Sequence, residues 1–238
     1  ENYIYELYNC IKKNIMTDLT LVIPAKNESE CLPRVLEELR KYNYKKKIVL
    51  QEDDLTTISS IKNYDVEIIY QKNKGYGDAL ITGIKSVETK YFCIFNADGS
   101  FNPNEIENMI TKLEKENFDI IFASRYEKNS GSEDDTILTY IGNKIFTLIG
   151  KIFFNLLITD ILYTFVLGKT KKCNELNLNS TNFNFCIELP IKAKRNNFNL
   201  GTIESFERKR IAGQKKVNEF SDGFKILKHL IYLYFIKK

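Results

Sequence analysis

The sequence predicts an α/β protein with a Rossmann-like, mostly parallel central sheet flanked by helices. Three features predict it. Short apolar runs alternate with stretches carrying apolar residues at helical spacing, the βαβαβ order of a doubly wound sheet. The runs are nearly continuous in apolar residues, as strands buried on both faces are. Each run also breaks off in a turn or charged exit, so chemistry gathers at one edge, outside the carboxyl ends of the strands.

The first run, residues 19–24 (LTLVIP), passes through Ala25-Lys26-Asn27-Glu28-Ser29-Glu30 into a helix reaching about Lys41. Ser29 suits its cap, and Leu32, Val35, Leu36 and Leu39 share its buried face. Residues 47–51 form a second strand that ends in Glu52-Asp53-Asp54. A third, residues 66–71, runs into Gly75-Tyr76-Gly77-Asp78-Ala79 and a helix carrying Leu80, Ile81, Ile84 and Val87. The fourth, Tyr91-Phe92-Cys93-Ile94-Phe95, stops at Asn96-Ala97-Asp98-Gly99-Ser100, and Pro103-Asn104-Glu105 then opens an amphipathic helix. A carboxylate at such a strand end, with short neighbours, suits a divalent cation bridging two phosphates; Asp-Gly is equally an ordinary turn pair. Residues 118–124 form a fifth strand delivering Arg125, whose guanidinium is shaped to grip phosphate.

Composition narrows the function classes. A chain of 238 residues can bury the core of one large α/β domain or two small ones. Its net charge of +4, from 35 Lys and Arg against 31 Asp and Glu, points to an anionic ligand or a membrane surface rather than to wrapped nucleic acid. Cys10, Cys31, Cys93, Cys173 and Cys186 form no CxxC pair and read as reduced thiols of a cytoplasmic protein. The single histidine, His229, argues against a histidine-based triad or a His-rich zinc site. No secretory leader is legible after Glu1.

Two stretches point to a membrane surface. Residues 145–167 are rich in Ile, Leu and Phe but interrupted by Lys151, Asn155 and Asp160, which predicts an amphipathic helix and then a strand rather than a span. The tail, residues 224–238, sets Ile226, Leu227, Leu230, Ile231 and Leu233 among Lys225, Lys228, Lys237 and Lys238. It suits a helix lying in a membrane interface, or equally one packed on the domain. Residues 127–135 (EKNSGSEDD) have the composition of a mobile loop beside the site. Residues 3–15 read as another amphipathic helix.

The pieces LVIPAKNES, EDDLTT, NKGYGDALITG, NADGSFNP and ASRY resemble, in order, the motifs of the family 2 inverting glycosyltransferases, which have the GT-A fold. Thr159-Asp160-Ile161-Leu162-Tyr163-Thr164-Phe165 resembles a segment of the polyprenyl- or dolichyl-phosphate hexose synthase branch, as do residues 203–217 and the Ser221-Asp222-Gly223-Phe224 helix opening. The resemblance implies a helical extension at 1–18, a glycosyltransferase domain at 19–217 and an amphipathic helix at 218–238.

It also implies site roles. Pro24, Ala25, Asn27, Glu28, Asp53, Asp54, Lys74, Gly75, Gly77, Asn96, Ala97 and Asp98 would bind a UDP- or GDP-linked sugar. Asp98, with Asn96, would hold Mg2+ or Mn2+, offsetting charge on the departing nucleoside diphosphate. Arg125, Arg208, Arg210 and Lys216 would meet the acceptor phosphate, and Asp98, Asp160 and Arg125 would carry catalysis. Asp160 would serve as a base only toward a sugar hydroxyl, since a phosphate acceptor, with a second pKa of ~6, is already anionic. With a lipid phosphate, Asp160 would orient the donor sugar or the basic residues. The chain departs from the family at Asn96 (usually Asp), Thr164 (Gly), Val166 (Arg) and Lys215 (Ser).

The expected activity is hexose transfer, with inversion, from a nucleotide-diphosphate sugar to a polyprenyl phosphate, at the cytoplasmic face of a membrane. Two alternatives stay open. One is a saccharide hydroxyl of a surface glycan as acceptor; the other is a catalytically silent nucleotide-sugar-binding homologue, motivated by Asn96, Thr164 and Val166.

Overall fold

A computed structural model describes residues 18–213 and 219–236; the expected helix at 3–15, Cys10 and Lys216 lie outside them. The first half runs β1 (Leu19–Pro24), α1 (Leu32–Glu38), β2 (Lys45–Leu50), α2 (Leu55–Ser60), β3 (Glu67–Tyr70), α3 (Tyr76–Ser86), β4 (Tyr91–Ile94), α4 (Glu105–Lys115) and β5 (Ile120–Ser124). The second half continues with β6 (Gly131–Ser132), α5 (Ile137–Phe154), β7 (Val166–Lys169), α6 (Thr170–Glu175), α7 (Phe185–Arg195), β8 (Leu200–Glu204), β9 (Phe206–Glu207) and α8 (Glu219–Phe235).

Among the described residues, seven strands form one sheet in the order β3-β2-β1-β4-β7-β5-β8, and β6 pairs with β9 in a small second sheet. Every pairing is parallel except those of β7, which runs antiparallel between β4 and β5. The predicted mostly parallel architecture is therefore the observed one.

Both faces of the sheet are covered, which explains strands that read as apolar throughout. In β1, Leu19, Leu21 and Ile23 point to one layer while Val22 points to the other. β4 and its continuation divide the same way, with Tyr91, Cys93 and Phe95 on the first side and Phe92 and Ile94 on the second. Each fully buried Leu, Ile, Val or Phe among them contributes about 1.5–3 kcal/mol relative to exposure. The described cysteines, Cys31, Cys93, Cys173 and Cys186, are free and buried, as expected of reduced thiols.

Three local expectations need correction. Ser29 does not cap α1: the helix starts at Leu32 after Cys31, with no side-chain cap and with Pro33 in its first turn, where a missing N–H costs nothing. The helix expected within 145–167 begins earlier, at Ile137. Thr136 accepts from Thr139 N at 3.1 Å and Thr139 Oγ1 accepts from Thr136 N at 2.8 Å, so a reciprocal cap fixes the start. The 127–135 segment is partly ordered, because Gly131 and Ser132 pair with Phe206 and Glu207 as β6 and β9.

Candidate active site

The site is built from strand exits at the carboxyl edge of the sheet. After β1, Asn27 N donates to Asp54 Oδ2 at 2.7 Å and Glu28 N to Thr57 Oγ1 at 3.0 Å. Those bonds tie the first loop to the exit of β2. Asp54 also caps α2 by accepting from Thr57 N at 3.3 Å, so its carboxylate is structural as well as site-facing. Asp53 beside it is exposed.

The Asn96–Ser100 turn follows β4. Asn96 Oδ1 accepts from Phe101 N at 3.3 Å and its amide donates to Ser100 Oγ. The asparagine thus braces its own turn. Asp98 Oδ1 accepts from Ser100 N at 3.0 Å, while Oδ2 lies 3.5 Å from Arg210. No cluster of three or more His, Cys, Asp or Glu side chains suited to a metal occurs among the described residues. One carboxylate at a strand end still fits Mg2+ or Mn2+, because Mg2+ keeps waters and takes further oxygens from substrate phosphates. Asp98 would be the protein ligand for such an ion.

Arg125, leaving β5, sits at the centre of a buried ionic network. Its Nε and Nη2 donate to Asp160 at 2.8 and 3.1 Å, its backbone N to the same carboxylate at 3.1 Å, and its Nη1 to Glu207 at 3.0 Å. Burial works against the guanidinium charge, but the Asp160 carboxylate outweighs it and holds the pKa well above the usual arginine value. Asn143 of α5 also donates to Asp160 Oδ1, the oxygen that accepts from Arg125 Nη2, and the Tyr163 ring lies 4.5 Å from the guanidinium. Burial keeps the Tyr163 phenol protonated by pushing its pKa well above 10.

A cleft of about 1000 Å³ joins these groups. Pro24, Ala25, Asn27, Glu28, Asp53, Asp54, Lys74, Gly75, Asn96, Ala97, Asp98, Arg125 and Arg210 line it, so most of the site residues expected from sequence meet in one place. Gly77, Asp160 and Arg208 do not line it. A Cβ on Gly77 would stand 2.0 Å from the Ser180 carbonyl oxygen, and one on Gly75 would stand 2.1 Å from that of Thr181. These glycines admit the chain's own 180–182 loop, where the sequence suggested an approach to nucleotide. Asp160 is fully covered by Arg125 and Asn143, and so is a positioning group in this geometry. Arg208 pairs with Glu38 at 2.7 Å and turns away.

The remaining wall was not legible from motifs. Leu138, Thr139, Asn143 and Phe146 of α5 and Phe220, Phe224 and Leu227 of α8, two helices that pack on each other, line it. Tyr76 stacks on Phe183 at 5.1 Å and shares a 2.6 Å hydrogen bond with Thr164, the residue that replaces the family's glycine. The available signal was Asn143, a lone amide inside an apolar helical stretch. Cys186 also lines the cleft, but burial raises its thiol to about 12 and leaves it unreactive.

A parallel sheet with one antiparallel strand inserted, an aspartate turn at its carboxyl edge and a deep cleft beside it make this a GT-A architecture. Residues 20–176 match glycosyl transferase family 2, and the chain belongs to that family. The UDP-N-acetylglucosamine–dolichyl-phosphate N-acetylglucosaminyltransferase of Methanococcus voltae is 24% identical over 238 positions, covering 90% of this chain and 94% of that protein. An uncharacterized protein of Methanocaldococcus jannaschii is 28% identical over 131 residues, or 53% of this chain; the chain spans only 54% of that relative. Among solved structures, glucosyl-3-phosphoglycerate synthase of Mycobacterium tuberculosis with Mn2+, UDP and glucosyl-3-phosphoglycerate superposes with a TM-score of 0.72 at 11% identity, covering 92% of this chain and 81% of that one. Mannosyl-3-phosphoglycerate synthase of Rubrobacter xylanophilus gives 0.66 at 12% identity, covering 90% and 72%. At that identity the likeness establishes the fold.

Proposed function

We propose that the chain transfers a hexose, with inversion, from a UDP- or GDP-linked donor to a polyprenyl phosphate at a membrane surface. The observation that carries this reading is the division of the cleft. Its sheet edge is polar and carries Asp53, Asp98 and Arg125, while its outer walls are exposed apolar side chains of α5 and α8. A charged phosphate on a hydrocarbon chain has the matching two-part chemistry.

The outer surface continues the apolar wall. On α5, Ile137, Ile141, Ile145, Leu148, Ile152 and Phe153 are exposed, and α8 adds Phe220, Phe224, Ile231 and Phe235. Lys144, Lys151, Lys225 and Lys228 lie on the same helices, a composition that favours an anionic interface. By length and composition α5 could cross a membrane, and little of it is buried. Its Asn143 is nevertheless bonded to Asp160 inside the site, so we read it as lying along the interface beside α8. α8 is both packed and exposed: Ile226, Leu230 and Leu233 are buried against the domain.

The named relative from Methanococcus voltae supports a lipid-phosphate acceptor, and the Mn2+ and UDP of the Mycobacterium tuberculosis neighbour support a metal-assisted nucleotide donor. When bound, the cation would supply positive charge to the departing diphosphate. Asp98 would hold it, Arg125 would meet the acceptor phosphate, and buried Asp160 would fix Arg125. Incubating the protein with labelled UDP- and GDP-sugars and a short polyprenyl phosphate tests the reading. Label in a mild-acid-labile, organic-extractable product supports it. Label in aqueous oligosaccharide, or donor binding with no transfer, overturns it.

A further inference from the structure

The segment after β9 is strapped across the Asn96–Ser100 turn. Arg208 N donates to Ser100 O and Ile211 N to Asp98 O, both at 2.8 Å, and Cys31 Sγ reaches Ala212 O at 3.5 Å. Gly99, at φ 83, makes the close approach possible, because a Cβ there would meet the Ile211 side chain at 2.5 Å. With its backbone fixed on both sides, Arg210 directs its guanidinium between two carboxylates. It lies 2.8 Å from Asp134 and 3.5 Å from Asp98 Oδ2. Asp134, bound through two guanidinium nitrogens, is the firmer partner.

We propose that Arg210 and the divalent cation compete for Asp98. The guanidinium neutralises this carboxylate until a cation arrives together with the donor diphosphate. Arg210 then keeps Asp134 and turns its remaining donors to the phosphates. A cation alone gains little, because it would face a guanidinium across a single shared carboxylate. The diphosphate removes that repulsion, so metal and nucleotide raise one another's affinity by the same factor. Asn96 strengthens the dependence, since an amide there supplies no second negative charge to outbid the arginine. The inference rests on the donor half of the proposed function, with Asp98 as metal ligand, and is independent of the acceptor.

Mn2+ binding to the full chain, followed by the electron paramagnetic resonance of the free ion, tests it with and without UDP or GDP. Wild type is expected to bind Mn2+ weakly alone and more tightly with a diphosphate. Arg210→Ala should tighten nucleotide-free binding roughly fivefold or more and shrink the gain from nucleotide. Arg210→Gln, which can still hydrogen-bond Asp134, should do the same if the alanine variant loosens the strap. Lys209→Ala removes an equal charge from an exposed neighbour and should change nothing. Unchanged Mn2+ affinity in both Arg210 variants, or equal tightening in Lys209→Ala, would overturn the competition. No Mn2+ binding by wild type with either diphosphate would remove the metal reading itself, and the competition with it.

Discussion

Asp160 grips Arg125 through two parallel hydrogen bonds, 2.8 and 3.1 Å long, and its carboxylate is shut off from solvent. A carboxylate so placed cannot take a proton from an acceptor; it fixes the guanidinium that faces the cleft. Asp160→Ala should therefore cost about 3–5 kcal/mol, the usual penalty for stranding a buried charge. Asp160→Asn should cost less and lower turnover while leaving the shape of the pH–rate profile unchanged. Urea unfolding and rate profiles of the two variants check this. A lost acidic limb in Asp160→Asn would restore the base role.

The glycines at the start of α3 give a packing prediction. Gly77→Ala pushes a methyl group into the Ser180 and Asn182 carbonyl oxygens, 2.0 and 2.6 Å from the new Cβ. Overpacking of this kind costs about 1–3 kcal/mol, and donor affinity should fall because Gly75 and Tyr76 line the cleft. Thermal unfolding and nucleotide titration of the variant measure both effects.

The apolar face of α8 separates packing from membrane contact residue by residue. Phe224 is 70% exposed and Leu230 only 2%. Phe224→Asp should weaken sedimentation with anionic vesicles severalfold and leave the melting temperature unchanged, whereas Leu230→Asp should destabilise the fold. Added salt should weaken wild-type binding as the lysines are screened. Unchanged vesicle binding by Phe224→Asp would place the contact elsewhere.

His229 supplies a pH dependence. It lies 3.2 Å from Ser180 and is half-buried, and Glu188 and Lys192 of α7 are the charged groups that act on it. Burial lowers its pKa, with Glu188 opposing and Lys192 assisting. The folded state then binds the proton less readily than the unfolded chain, so stability should fall as pH drops below ~6.5 toward the depressed folded value. Urea midpoints measured across that range should flatten in His229→Gln. An unchanged slope in that variant would assign the effect to carboxylates.

How much of this was legible in the sequence varied with the physics of each part. Strands such as Leu19–Pro24 and the turn at Asp98 were readable because buried parallel strands and their exits leave local patterns. The start of α5 was missed because its reciprocal cap is Thr136 with Thr139, rather than a serine or threonine with glutamate, inside a loop-like polar run. The fate of each arginine was invisible for a different reason. Arg125, Arg208 and Arg210 look alike in sequence, yet their partners, Asp160, Glu38 and Asp134, lie 35, 170 and 76 residues away. Only the fold sorts them into a buried anchor, a half-buried pair and a strap over Asp98.

Transfer to lipid phosphate through Asp98 is tested by organic-phase extraction after reaction of wild type and Asp98→Ala with a labelled nucleotide sugar and a short polyprenyl phosphate. Wild type should place mild-acid-labile label in the lipid phase, and Asp98→Ala at least a hundredfold less, on the order of what losing one preorganised charge costs. Lipid-phase label of equal size from both proteins, or label confined to aqueous saccharide, would contradict it.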